Sequence, residues 1–509
     1  MKPIAFNQAL DLSSVSEVKF SQYLYMFLAG SLGVLGFAPF HLPGFTIISL
    51  ACLFNTLIKT QLKQSFFLGF AYGMGYFGLG VSWVINSIHD YGQLNYFFAG
   101  LATLGFVMFM SLYPALTSAL FSFLKKNDNR LLNLGTFSVL WCLCEFVRAN
   151  IMTGFPWLLI GHSQIDTPLR NLAPIIGPYG LSFCCALAAT LLTYAFLEKS
   201  IKRNYFLIAF VLLIITPSVF KNIKWTTVKE EPITIAGVQA NLSMRNKWNE
   251  HLFWDLLKYY DQATDKLLGK KLIIWPESAI PIPASYLDDY LVKLNSKLLK
   301  ANSALILGII QPTDDTEKFF FNEVITMGHA NGQHIKYELV PFGEYIPKPF
   351  VSLNKMLGLP MPVISPGELN QPLIKIFNYP IATLICYEIA YPLVLRQQMP
   401  QAQWIVSISD NGWFGKSLAS FQQQQMSQML SLLTGRYQVT VNNDGLSSVI
   451  NESGEIVESL PAFSAGTLQS QIYPAEGTTP WIIWGDKPCL IICSLYLIFI
   501  LLMRFRRVS

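Results

Sequence analysis

Apolar residues run along this chain in two textures. Up to residue 220 they form long runs of roughly 16 to 28 residues, near 21–40, 43–58, 65–87, 96–123, 131–147, 172–197 and 204–220. An α-helix needs about 20 apolar residues to cross the hydrocarbon of a bilayer, so each run is expected to be a membrane span. An eighth run, 488–503, lies near the other end. Between about 225 and 485 the apolar residues instead come in short β-branched runs: ITIAGVQA (233–240), KLIIW (271–275), SALILGII (303–310), HIKYELV (334–340), IATLIC (381–386), WIVSIS (404–409) and YQVTVNN (437–443). Helix-like stretches near 248–268, 287–301, 391–399 and 418–434 separate several of them. Buried strands divided by helices predict an α/β layered domain. The expected division is a membrane domain of seven spans over 1–220, an outer catalytic-sized domain over 221–487, and an eighth span with its tail over 488–509.

Charge orients this arrangement. One set of flanks and loops carries Lys2, Lys19, Lys59, Lys63, Lys125, Lys126, Arg130, Lys199, Lys202, Arg203, Arg504, Arg506 and Arg507, while the short loops of the other side hold only Arg148 and Arg170. Thirteen against two, alternating through eight spans, predicts cytoplasmic termini and an extracytoplasmic 221–487. No cleavage-site pattern follows the first apolar run, so it reads as an uncleaved span.

Composition narrows the class further. Of 509 residues, 52% are hydrophobic and only 13% charged, against about 25% charged in soluble domains. That excludes disorder, a disulfide-built secreted scaffold and an ordinary cytosolic enzyme. The net charge of +5 divides unevenly: 225–485 carries 23 acidic and 18 basic residues, leaving the membrane flanks strongly basic. The basic surplus sets topology and can meet anionic lipid heads; it does not signal nucleic acid.

Seven of the eight cysteines (Cys52, Cys142, Cys144, Cys184, Cys185, Cys489 and Cys493) fall in the expected spans, where small buried side chains account for them. Cys386 alone lies in the outer domain. It ends the strand-like IATLIC and precedes a helix-like stretch, a rigid setting in which helix-start N–H groups favour an anion. It is therefore either an inert core thiol or a nucleophile. A nucleophile needs a base, yet His251, His329 and His334 sit in no convincing catalytic motif. Two other strand-end signatures stand out: WPESAIP (275–281) with Glu277, and KYELVPFGEYIP (336–347) with Lys336 and Glu344. Each alone reads as a solvated charge; three such positions at or near strand ends in one α/β domain point to a site.

WPES, a Lys before LVPFGEY, and CYE together resemble the nitrilase superfamily, whose catalytic set is Glu–Lys–Cys. GFAPF (36–40), SWV (82–84), TGFPW (153–157), VQANLSMRNKW (238–248), ICYEIAYP (385–392), NGWFG (411–415) and VNNDG (441–445) extend the resemblance over essentially the whole chain. It is then to the apolipoprotein N-acyltransferases of the Gram-negative inner membrane. The resemblance implies a membrane protein: an eight-helix membrane domain carrying a periplasmic nitrilase-like αββα sandwich, without a cofactor or catalytic metal and acting as a monomer. It implies phosphatidylethanolamine as the typical phospholipid acyl donor. The implied acceptors are diacylglyceryl-modified apolipoproteins with a free N-terminal amine. Carried over by motif, Cys386 is the nucleophile, Glu277 the general base and Lys336 the oxyanion-stabilising cation. Glu344, Tyr387 and Glu388 match supporting positions, and Trp248 an aromatic near the substrate entrance.

Residues outside the motifs raise further expectations. The segment 342–364 is too apolar for an ordinary surface loop, with Phe342, Phe350, Val351, Leu353, Met356, Leu357, Leu359, Met361, Val363 and Ile364. It reads either as a loop packed on its own domain or as an arm dipping into the bilayer. Glu145 and Arg148, three residues apart near the outer end of the fifth span, read either as functional groups or as an ion pair holding the TGFPW turn. Gln423 and Leu433 depart from the family pattern, which often has His and Glu there. The rival assignments are a membrane-tethered amidase using the same three residues and, more remotely, a transporter, for which repeat symmetry and polar midplane sites are wanting.

Overall fold

The computed structural model describes residues 18–92, 94–126, 129–247, 249–314, 316–356 and 363–505. Trp248 and residues 357–362 of the apolar arm lie outside them. Five helices among the described residues are long and apolar enough to cross a membrane: Tyr96–Leu124, Arg130–Thr153, Pro168–Leu197, Lys202–Phe220 and Lys487–Arg504. A sixth arises if Leu62–Gly80 and Val84–Asp90, bent by 62°, count as one span. The first two apolar runs fold as shorter helices, Phe20–Gly33 and Gly44–Leu57, 14 residues each. At 1.5 Å per residue each reaches only about 21 Å. The run 21–40 is not one helix, because the chain passes at Gly33 into a single 3-10 turn, Val34–Gly36, and becomes extended at Phe37. The helix surfaces match an apolar solvent: Leu101, Leu104, Met108, Leu112, Leu116 and Leu120 form an exposed stripe at helical spacing along one of them.

The intervening segment folds as two stacked sheets with helices outside both. In the six-stranded sheet, Ile233–Gln239, Leu272–Ile274 and Ala304–Pro312 run parallel at the centre, flanked by antiparallel Gly466–Ile472 on one side and by Phe320–Gly328 and His334–Ile335 on the other. In the seven-stranded sheet, Tyr379–Ile385, Ile405–Ser409 and Gln438–Asn442 form the parallel centre. Ile235, Leu272, Ile274 and Ile306 of one sheet bury against Ile381, Val406, Ile408, Val439 and Val441 of the other. Helices Phe253–Leu267 and Asp288–Lys300 cover the six-stranded sheet. Pro392–Gln397 and Leu418–Thr434 cover the seven-stranded one. This is the αββα layering.

The outer layer on the seven-stranded side continues into the helical bundle. One apolar core holds Val394, Leu395, Met426, Met429, Leu430 and Leu433 together with Phe54, Tyr72, Phe137, Trp157 and Leu181 of the bundle. Two expectations need correction. The strand anticipated over 334–340 ends after Ile335, because the Tyr337 N–H is drawn to the Glu388 carboxylate at 2.7 Å instead of a neighbouring strand. The nine-residue strand Phe320–Gly328 was not anticipated, since FFNEVITMG mixes both burial patterns.

Candidate active site

The catalytic-type residues stand at or beside the ends of strands in the two sheets. Glu277 lies three residues beyond Ile274, Cys386 directly follows Ile385, and Asp410 directly follows Ser409. Lys336 follows the short strand His334–Ile335, its N–H still bonded to the Asn322 carbonyl at 2.9 Å. The seam between the sheets thus receives Glu277, Asn322 and Lys336 from one side and Cys386 and Asp410 from the other.

Cys386 sits in the left-handed region at φ +51°, the first residue of a one-turn 3-10 helix, Cys386–Ala390. A non-glycine residue there is strained, a cost tolerated where the surroundings fix it. Glu388 does much of the fixing. Its Oε2 accepts the Ile385 N–H at 2.7 Å and meets His334 Nε2 at 3.0 Å, while Oε1 accepts the Tyr337 N–H. Burial pushes its carboxyl up, but His334 and the two backbone donors outweigh that and hold it below the ordinary carboxylate range. Glu388 therefore supports the turn rather than facing the thiol, and His334 acts as its partner.

Lys336 Nζ donates to Glu344 Oε1 at 2.8 Å and to Glu277 Oε1 at 3.2 Å, all three side chains being largely buried. Burial favours a neutral amine, but the Glu277 and Glu344 carboxylates overcome it and raise its pKa above the ordinary lysine range. It is a fixed cation. The Cys386 thiol is pushed well above its ordinary value, first by burial and then by the Glu277 charge, with Lys336 opposing. Cys386 therefore rests as a thiol, with the Glu277 carboxylate beside it.

Three residues that sequence reasoning missed hold Glu277. Asn322 Nδ2 donates to Glu277 Oε1 at 2.7 Å and to Glu344 Oε1 at 3.2 Å. The Asp410 N–H donates to Glu277 Oε2 at 2.8 Å. Lys247, fully buried, pairs with the Asp410 carboxylate and donates to the Glu277 carbonyl at 2.7 Å. Lys247 lies inside the motif VQANLSMRNKW and Asp410 directly before NGWFG, at the end of the apolar strand WIVSIS. Asn322 offered no such signal.

Loops of the bundle close the site. Tyr387 stacks on Trp157 of the TGFPW turn at 6.3 Å between ring centres, and Tyr391 Oη lies within hydrogen-bond distance of Tyr387 Oη and of the Thr153 and Gly154 carbonyls, which share its one proton. Arg148 holds that turn by donating to the Phe155 and Trp157 carbonyls at 2.8 and 2.6 Å. Glu145 is bound separately, accepting the Trp141 Nε1–H and the Ile160 N–H, so the pair is not an ion pair though both residues serve the turn. Gln422 Oε1 accepts from Trp83 and Trp157, and Gln423 donates to the Cys386 carbonyl at 3.3 Å and to Ser409 Oγ at 3.1 Å. Leu433 puts its side chain in the apolar core, and its carbonyl accepts from Thr479 Oγ1 at 2.7 Å. An open groove of about 550 Å³ runs between the bundle and the start of helix Leu418–Thr434, lined by Trp83, Ile85, Thr103, Leu418 and Phe421 with Lys416 beside them. In the apolar arm, Phe342 packs edge-on against Phe350 at 5.2 Å, while Phe342, Met356 and Val363 remain exposed.

Residues 29–191 match the family model described as apolipoprotein N-acyltransferase N-terminal domain, and 234–479 that described as carbon-nitrogen hydrolase. The apolipoprotein N-acyltransferase of Azotobacter vinelandii is 34% identical over 470 residues, covering 90% of this chain and 91% of that protein. That of Coxiella burnetii is 34% identical over 475 residues, covering 92% and 98%. Among solved structures, Saccharomyces cerevisiae Nit3, a member of branch 10 of the nitrilase superfamily, is 16% identical with a TM-score of 0.37, covering 50% of this chain and 93% of that one.

Proposed function

The chain belongs to the apolipoprotein N-acyltransferase family, and from that premise we propose that it moves a fatty acyl chain from a phospholipid to the free amine of a lipoprotein's diacylglyceryl-cysteine. The observation that carries this reading is the meeting of Glu277, Lys336 and Cys386 in a buried seam that loops of an apolar helical bundle close. Glu277 takes the thiol proton as Cys386 Sγ attacks the ester carbonyl. Lys336 opposes the charge on the developing oxyanion, a contribution of about 3–4 kcal/mol for a donor of this kind in a dry site. The tetrahedral intermediate collapses, the lysophospholipid leaves with the proton from Glu277, and a thioester remains. The lipoprotein amine then attacks that thioester, Glu277 accepts its proton, and the thiol is restored. Glu344 and Asn322 keep Lys336 and Glu277 in register, and Tyr387 and Glu388 hold the turn that carries the thiol.

The wider setting follows from the same premise. The protein is read as eight spans in the inner membrane of a Gram-negative bacterium, with both termini cytoplasmic and 221–487 periplasmic. That reading is supported by the lysine and arginine asymmetry and by the apolar helices. Phosphatidylethanolamine is the donor, its acyl chain lying in the groove beside Trp83 and Phe421 and its head toward Lys416. The exposed apolar residues of the arm enter the outer leaflet, and Trp248 borders the entrance. The enzyme works as a monomer without a cofactor. An amidase using the same residues would end by admitting water, and the bundle loops sealing Tyr387 argue against that.

Mass spectrometry of the purified protein incubated with phosphatidylethanolamine tests the first half-reaction. An acyl mass is expected on the peptide containing Cys386, lost in Cys386→Ala and strongly reduced in Glu277→Ala. Full lipoprotein acylation by Cys386→Ala would overturn the mechanism. Hydrolysis of soluble amides without acylation of a diacylglyceryl-cysteine peptide would favour the amidase.

A further inference from the structure

Three cysteines of the bundle converge far from Cys386 in sequence. Cys142 comes from the helix Arg130–Asn150, and Cys489 and Cys493, one turn apart, from the helix Lys487–Phe505. Their sulfurs all lie within 4.8 Å of one another, and Cys142 Sγ stands 3.9 Å from Cys489 Sγ. Two sulfurs bound to one metal ion at about 2.3 Å each are about 3.8–4.0 Å apart, so the separation already has the dimension of a shared ion.

The surroundings select the kind of ion. Val139, Ala149, Leu159 and Tyr179 pack around Cys142 and Cys493, giving mostly apolar walls, while Cys489 is partly open. Among the described residues no histidine or carboxylate joins the group. Structural zinc takes four ligands, usually cysteine and histidine; a set of three sulfurs in a dry setting suits soft, low-coordinate Cu(I).

We propose that Cys142, Cys489 and Cys493 form a site for one Cu(I) ion, which clasps the last helix to the bundle. Each sulfur that binds as thiolate gives its proton to water, and Cys142 then gives up its bond to the Tyr179 carbonyl, now 3.4 Å. The partly open Cys489 is the approach for the ion. The clasp has mechanical sense because the last helix is otherwise mostly lipid-facing, only 11% of its apolar window being buried.

The test uses full-length, reduced protein in detergent under anaerobic conditions, with Cys386→Ala so that the catalytic thiol does not contribute. Cu(I) buffered by bathocuproine disulfonate should bind at one ion per chain, with only sulfur neighbours by X-ray absorption. Cys489→Ser and Cys493→Ser should each lose that ion, whereas Cys52→Ser should keep it. Cys489 is the partly exposed member, so its serine variant retains the fold even if a Cys142 variant does not. Unchanged Cu(I) stoichiometry in Cys489→Ser and Cys493→Ser would overturn the site. So would a Cys142–Cys489 disulfide in protein isolated without reductant, or preferential binding of Zn(II) with oxygen or nitrogen neighbours.

Discussion

Helices Phe253–Leu267 and Leu418–Thr434 occupy corresponding outer layers of the sandwich, yet their polar residues serve opposite ends. On the first, Phe253, Leu256, Leu257, Tyr260 and Leu267 face the sheet at helical spacing. Its acids look to solvent, where Asp261 and Asp265 meet Lys297 of the neighbouring helix at 3.0 and 2.6 Å. On the second, almost every residue is buried, four glutamines included. Gln422 reaches Gly80, Trp83 and Trp157 of the bundle, Gln425 the Ala38 N–H, Gln428 the Gly454 carbonyl, and Gln423 the carbonyl of Cys386. Burying an amide is costly unless it is bonded; Gln422 and Gln425 spend their bonds on the bundle, and Gln423 and Gln428 on the sandwich itself. Glu277 and Lys336 belong to the sheet away from the bundle, and Cys386 to the sheet packed on it.

The comparison can be broken at several points, beginning where the two sheets meet. Glu277→Gln should lower acylation by about 10²–10⁴-fold, the usual worth of a positioned base, while acyl-acceptor binding persists. Because the Cys386 thiol is raised above its ordinary value, it is protonated at neutral pH. Iodoacetamide labelling of Cys386 should therefore be slow at pH 7 and climb as pH rises, still without a plateau at pH 9. A plateau near pH 7 would mean a resting thiolate.

Lys247→Met strips the buried Asp410 carboxylate of its cation. Leaving a buried charge unpaired costs about 3–5 kcal/mol, so a lower unfolding midpoint and a fall in kcat are expected together. A change in KM alone would place Lys247 outside the support of Glu277. On the bundle side, Gln422→Leu leaves the Trp157 indole N–H without its acceptor, while Trp83 keeps the Gly80 carbonyl at 3.1 Å, costing about 1–3 kcal/mol for a buried donor. It should reduce kcat severalfold by loosening Trp157 beneath Tyr387. The smallest effect belongs to the water-facing helix: Lys297→Ala should change stability by about 0–1 kcal/mol and leave acylation as it was. If Lys297→Ala and Gln422→Leu proved equal in both readouts, the contrast between the two layers would be wrong.

How far this was legible depends on which physical signal each residue carries. Glu277, Lys336 and Cys386 stand out because their types are unusual at the ends of apolar strands, and the structure brings them together. Helix Phe253–Leu267 follows its periodicity. Helix Leu418–Thr434 was legible as a helix, but not its surroundings, because a helix buried on all sides has no apolar stripe to read and QQQQ looks solvated. Asn322 escaped because its role depends on the antiparallel register of Phe320–Gly328 with Ala304–Pro312, a long-range pairing that no local pattern encodes. Glu388 matches a supporting position by the CYE motif, and in three dimensions its carboxylate turns to His334 and the backbone. The apolar helices were legible as apolar runs, but not their ends: the run 21–40 contains the turn through GFAPF.

The apolar core shared by the bundle and the helices over the seven-stranded sheet has a consequence for how the molecule comes apart. Met426, Met429 and Leu433 cannot leave Phe54, Trp157 and Leu181 without opening both parts at once. What looks like a soluble enzyme set on a membrane anchor is then divided by solvent only. For unfolding, the bundle and the nearer half of the sandwich form one cooperative unit, and a catalytic domain cut free at residue 221 would lack one wall of its own interior.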